Sequence, residues 1–246
     1  MSPSVTDSAP IALATRSDGV ALAIPTGSEL PVVHAVTNDE IVTRAGFRER
    51  ACDVMRAMGA RGALQLRAPR LAHRSAGALL ELAFALAEEQ QRTGAWLVVT
   101  DRIDVGMIAG ARGIQLTGQS MEAADAARVI ARAGECAPPP HVTWTPAFGA
   151  SVHSLEEAIA ARLAGATWGV VRKSDQTSGA ALVRQLVKYG GLPIIAIGGI
   201  VPQHIAPLSQ LGVRGVAAIR GIWYAENAGR AALDYLSAYD SEVGRG

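Results

Sequence analysis

His153 stands in Ser-Val-His-Ser, between an apolar run and a helical one. An imidazole titrates near neutrality, so it can take and return a proton at physiological pH. The plainer reading is a helix-entry histidine that packs or caps. Gln65-Leu66-Arg67 is the second chemical feature. On a strand, Gln65 and Arg67 share one side and Leu64 and Leu66 take the other. A glutamine and an arginine turned inward are costly unless polar partners or an anionic ligand meet them. Asp101 follows Thr100 at the end of another apolar run. Its carboxylate can orient Arg67, bind a cation, hold a substrate, or simply cap the next segment. Gln115 lies inside Gly-Ile-Gln-Leu-Thr. Its amide both donates and accepts, which suits the polar edge of a heterocycle or an internal hydrogen bond of the fold.

Two glycine segments close the set: Ile197-Gly198-Gly199-Ile200 and Ile219-Arg220-Gly221-Ile222. Glycine lets backbone N–H groups approach a phosphate closely. A tight strand-to-helix turn explains one such segment equally well. Two of them, with Arg220 able to offer a bidentate contact, favour an anion.

These residues need elements to hold them. After residue 30 the chain alternates short apolar runs with Ala/Leu/Glu/Arg-rich stretches. The runs are 31–37, 62–68, 95–101, 113–117, 147–152, 168–173, 193–199 and 215–221. Strands alternating with helices predict βαβ units and a parallel sheet. The helical stretches include 75–91 and 154–165. Ser154 stands three positions before Glu157, the spacing of a capping box, and Gly165 marks the stop. Leu155, Ala158, Ile159 and Leu163 recur at helical spacing. Eight runs predict an α/β fold of the (β/α)8 TIM-barrel type, an eight-stranded parallel barrel. In such barrels the loops after strands seven and eight often hold phosphate. Residues 1–30 read as a short N-terminal extension, and residues 31–246 as the TIM-barrel domain.

Composition narrows the function classes. The formal net charge of +1 gives no electrostatic footprint for nucleic acid. No apolar run is long enough to span a bilayer, and no signal peptide is readable, so the expectation is a cytoplasmic protein without membrane contact. Cys52 and Cys136 are far apart and lack metal-ligand spacing, and no other metal cluster is evident. A homo-oligomer is compatible with the sequence, although no interface can be read from it.

Taken together, His34–Asp39 (HAVTND), Gln65–Arg67, TDRIDVG (100–106), GIQL (113–116), SVHSLEEA (151–158), PIIAIGGI (193–200) and GVAAIRGIW (215–223) resemble the thiamine phosphate synthase/TenI superfamily. The resemblance runs from about residue 31 to about residue 237. It implies a (β/α)8 barrel and one of two activities. The synthase joins a thiazole phosphate to a pyrimidine diphosphate, expelling pyrophosphate with Mg²⁺. The TenI-type enzyme is a thiazole tautomerase that aromatises a carboxythiazole phosphate by moving a proton.

The synthase pattern is eroded. Pro69 stands where it expects lysine, Thr100 where it expects asparagine, Ser120 where it expects an acidic metal ligand, and Gln115 where it expects histidine. The strand-six segment RKSDQTSG (172–179) is shorter than its pyrophosphate loop, with Lys173 as a substrate-binding candidate. The tautomerase pattern, including Ser151-Val152-His153-Ser154, is better kept. On that resemblance His153 is the proton shuttle. Gln65, Arg67, Asp101, Gln115, Ser151 and Lys173 contact substrate, and Gly198, Gly199, Arg220 and Gly221 hold the phosphate. Arg220 itself departs from the serine usual in both patterns. The expectation is therefore a TenI-like tautomerase with no metal or other cofactor. A divergent synthase using Mg²⁺ and a catalytically silent barrel that regulates a partner are the alternatives. The ligand in each case is a phosphorylated thiazole-type small molecule.

Overall fold

Each apolar run folds as a strand, trimmed at its ends relative to the sequence pattern. The computed structural model describes residues 30–135, 145–172 and 177–243. Lys173, Cys136 and all of the 1–30 segment except Leu30 lie outside the described residues. In chain order, β1 (Val33–Val36) leads to α1 (Asp39–Val42) and α2 (Phe47–Met58). β2 (Gly62–Leu66) leads to α3 (Pro69–Arg74) and α4 (Ala76–Thr93). β3 (Trp96–Thr100) precedes α5 (Ile103–Ala109), β4 (Gly113–Leu116) precedes α6 (Ala123–Glu135), and β5 (Ala147–Ser151) precedes α7 (Leu155–Leu163). β6 (Trp168–Arg172) is followed by α8 (Thr177–Tyr189) and β7 (Ile194–Ile197) by α9 (Ile205–Gln210). β8 (Gly215–Ala218) is followed by α10 (Arg220–Trp223) and α11 (Ala228–Val243).

The strands pair in sequence order, all parallel, and β8 closes on β1 through Val216 opposite Val33. This is the expected (β/α)8 barrel. Strand alternation sorts its side chains into two cores. Leu64, Leu66, Leu97, Val99 and Ile114 face the helices and join the large outer core. Val36, Ala63, Val98, Trp168, Val170, Ile195 and Ala217 fill the interior as a packed plug.

Trp168 dominates that plug. Its indole Nε1 donates to Gln115 Oε1 at 2.7 Å, and both residues are buried. A Cβ on Gly149 would lie 2.0 Å from the same nitrogen, so only glycine leaves room for the ring. His34 tilts toward it at 6.3 Å between centroids. Burial holds the His34 imidazole down to a pKa of about 4, against a hydrogen bond to the Pro31 backbone that pulls upward.

Gln90 of α4 locks the outer layer. Its Oε1 accepts from the backbone of Leu97 at 2.8 Å and of Arg112 at 3.0 Å. Its Nε2 donates to the Gly110 carbonyl at 2.9 Å. One buried amide thus ties α4 to β3 and to the α5–β4 turn.

The helix signals hold with two differences. Ser75 and Ser154 cap α4 and α7 as their types suggest, accepting from Ala78 and Glu157. The reciprocal half of the expected capping box is displaced, because the Glu157 carboxylate accepts from the His153 backbone instead. The buried face of α7 is Ala158 and Ala161, while Leu163 is 73% exposed, so the expected stripe is narrower than its spacing implied.

Two stability measurements test this account. His34 binds its proton more weakly folded than unfolded, so its contribution is complete above pH 6.5 and is lost as pH falls toward 4. The loss is about 3 kcal/mol. Urea unfolding of His34→Leu should lack this slope between pH 6.5 and 4. Gln90→Leu should cost roughly 2–5 kcal/mol at any pH, because it removes the partner of the buried Leu97 N–H and Gly110 carbonyl and a contact to the half-buried Arg112 N–H.

Candidate active site at the C-terminal mouth

Eight of the expected site residues, Arg67, Asp101, Ser151, His153, Gly198, Gly199, Arg220 and Gly221, line three openings at the C-terminal ends of the strands, while Gln65 and Gln115 lie beneath them. The first opening lies beyond β6, β7 and β8. Arg172, Ile197, Gly198, Gly199, Ile219, Arg220 and Gly221 line a cavity of about 370 Å³. The pairing of Arg172 with Ile197 sets the arginine beside the first glycine turn. Gly198 and Gly199 both have positive φ, 115° and 58°, a backbone that disfavours side chains. A Cβ on Gly199 would meet nothing within 4 Å, so the demand there is conformational and the space before it is open. Arg172 was not singled out in the sequence. It stood at the edge of a loop read for Lys173, and only the closed barrel sets it opposite the glycines.

Gly221 carries a second requirement. Tyr235 of α11 sends its hydroxyl to the Ile200 carbonyl at 2.6 Å, and a Cβ on Gly221 would lie 2.1 Å from that oxygen. The glycine therefore clears a path for a phenol that pins the β7 turn. Burial raises the Tyr235 phenol above its ordinary range, so it stays a neutral donor.

The second opening, about 210 Å³, lies between the ends of β2 and β3 and is lined by Arg67, Pro69, His73, Thr100, Asp101 and Thr117. Gln65 donates to Thr100 Oγ1 at 3.1 Å just beneath it. Thr37 fixes the turn by accepting from the Arg67 backbone N–H at 2.9 Å. Asp101 has φ of 60°, which aspartate tolerates better than most residues. Its two oxygens accept from Thr117, from the backbone N–H at 2.8 Å and the hydroxyl at 2.7 Å. This carboxylate does not cap α5, whose first turn has no side-chain cap; it staples the end of β3 to the residue after β4.

Gln115 is corrected in the same sense. It was expected to read a heterocycle's edge, yet it is buried one layer below the mouth. Its oxygen is taken by Trp168 and its nitrogen by the Leu116 carbonyl. The sequence could not show this, because the partner is 53 residues away.

The third opening, about 360 Å³, runs along β4, β5, α6 and α7, and includes Thr117, Ser120, Ser151, His153 and Glu157. A single Glu157 oxygen accepts from the His153 backbone N–H at 2.7 Å and sits 3.2 Å from its Nδ1. An ionised Glu157 favours the proton on Nδ1, the nitrogen that can donate to it, with Nε2 then carrying the lone pair. Glu157 is thus a functional candidate that sequence reasoning assigned only to capping; its i,i+4 spacing from His153 was the available signal.

Among the described residues, the guanidinium groups of Arg67, Arg172 and Arg220 make no hydrogen bond or ion pair, while Arg102 is held by Asp104. No group of three or more His, Cys, Asp and Glu among them could hold a metal. None of their helices is long and apolar enough to cross a membrane.

Comparison with known proteins supplies the lineage. The sequence model described as thiamine monophosphate synthase matches residues 33–222. The thiamine-phosphate synthase of Methanoculleus marisnigri is 32% identical over 198 residues, covering 76% of this chain and 85% of that protein. The bifunctional thiamine biosynthesis protein ThiM/ThiE of Symbiobacterium thermophilum is 35% identical over 178 residues, 68% of this chain but 35% of that longer protein. Among solved structures, a thiamine phosphate pyrophosphorylase from Pyrococcus furiosus superposes with a TM-score of 0.72 at 24% identity. It covers 89% of this chain and 99% of that one, a likeness of fold.

The Tyr235 contact makes a defined prediction. Tyr235→Phe should lower stability by about 1–3 kcal/mol by orphaning the Ile200 carbonyl. Gly221→Ala should cost at least as much through collision with the same hydroxyl. In a double-mutant cycle by urea unfolding the two should couple strongly, because removing the oxygen relieves the collision. Additive costs would show that the phenol and the glycine do not share one space.

Proposed function

This chain belongs to the thiamine phosphate synthase/TenI superfamily, an enzyme family of thiamine biosynthesis, and we propose that its mouth binds a thiazole phosphate and acts on it. The observation that carries this reading is the cavity beyond β6–β8. It combines two glycine turns with two guanidinium groups that have no partner among the described residues, and no acidic residue among the described residues lines it. Backbone N–H groups and arginines are what a phosphate dianion requires.

The names of the relatives support a transfer reaction on that ligand: the thiazole nitrogen joins a pyrimidine methylene as pyrophosphate departs. Charge builds on the leaving group, and Arg67, free at the β2 end, is the cation placed to receive it. Such a reaction in this family implies Mg²⁺. The residues present fit that ion poorly. Asp101 is committed to Thr117, Ser120 offers an alcohol in place of a second carboxylate, and no wider acidic cluster accompanies them.

A second reading, the thiazole tautomerase, is favoured by a specific observation. His153 has Nδ1 against Glu157 and Nε2 free in a cavity shared with Ser151. An imidazole held in one tautomer can remove a ring proton and return one elsewhere, a contribution of about 10²–10⁴-fold.

One purified sample decides between them. Thiazole phosphate and pyrimidine diphosphate, with and without Mg²⁺, should yield thiamine phosphate and pyrophosphate. Arg67→Ala should lower kcat/KM by roughly 10²-fold. If instead only the carboxythiazole phosphate tautomer turns over, and His153→Ala abolishes that turnover, the second reading replaces the first.

A further inference from the structure

We infer that Arg172 and Arg220 form a two-guanidinium clamp on the ligand's phosphate, with Arg172 a specificity-determining residue contributed by β6. The inference rests on the thiazole phosphate reading and deepens it. Arg172 ends β6, is exposed, and is registered against Ile197, the residue before Gly198. Arg220 opens α10 on the other side of the same cavity. Neither guanidinium has a partner among the described residues.

The charge count gives the clamp its meaning. The walls of this cavity otherwise consist of glycine, isoleucine, valine and alanine. Among the described residues these walls offer apolar surface and backbone N–H groups, and no side chain that neutralises charge. Two guanidinium groups carry two positive charges, equal and opposite to an ionised phosphate monoester. Set on two sides of one cavity, they attract a dianion bound between them. A neutral alcohol in the same place gains nothing from either charge. The clamp therefore discriminates a phosphorylated ligand from its dephosphorylated form more sharply than glycine turns alone.

Calorimetric titration of the full-length protein with thiazole phosphate, and with the same thiazole as its free alcohol, tests this. Wild type should bind the phosphate form far more tightly. Arg172→Ala and Arg220→Ala should each weaken it roughly tenfold or more, with the alcohol unaffected. Arg172→Lys should recover part of the loss, since it restores the charge without the fork. Melting temperatures should stay at the wild-type value, because Arg172 is exposed and unpaired. If Arg172→Ala binds thiazole phosphate as wild type does while Arg220→Ala is weakened, the clamp is wrong and the cradle stands on Arg220 and backbone. If wild type shows no preference for the phosphate form, the thiazole phosphate reading falls and the clamp falls with it.

Discussion

The Trp168 indole is the constraint on which the mouth depends. It lies inside the barrel, and its neighbours have been shaped to admit it. Gly149 gives up a side chain, Gln115 supplies the acceptor, and His34 stays neutral beside it. A large ring in that position stops the interior from being a pore and sets the floor above which polar residues can stand. An indole N–H without an acceptor there would cost as much as a lost hydrogen bond, so the glutamine is bound into the packing.

Above that floor the site is divided between structural polarity and free polarity. Asp101, Thr117, Gln65 and Thr100 satisfy one another and hold the strand ends in register. Arg67, Arg172 and Arg220 have no such partner among the described residues. The openings at β2 and at β6–β8 thus present guanidinium charge that the described residues leave unpaired, in a chain whose overall charge is close to zero. Charge that is locally uncompensated and globally balanced suits recognition of a small anion better than a polyanion.

The barrel was legible because its signals are local: eight apolar runs, helical stretches between them, and serine caps at the expected starts. The glycine turns were legible for the same reason, since φ in the left-handed region is a property of Gly198 and Gly199 themselves. What the sequence hid was partnership across the barrel. Gln115 looks like a substrate ligand until Trp168 claims it, and Asp101 looks free until Thr117 takes both oxygens. Arg172 looks like the start of a loop until β7 is laid beside it. Glu157 reads as half of a capping box, and only the fold of the turn shows its carboxylate moving one residue back to His153. In each case the side chain's chemistry was plain and its occupant was not.

The hydroxyl of Tyr235 has a consequence for how this protein comes into being. The glycine turn after β7 is held by a residue of α11, which follows the eighth strand. On a ribosome, every strand of the barrel is synthesised before the phenol that pins that turn. The turn after β7 therefore reaches its tethered form only once α11 has been made and docked. The same helix adds Ala232, Tyr235, Leu236 and Tyr239 to the outer core, so a segment made after every strand completes both the packing and the turn.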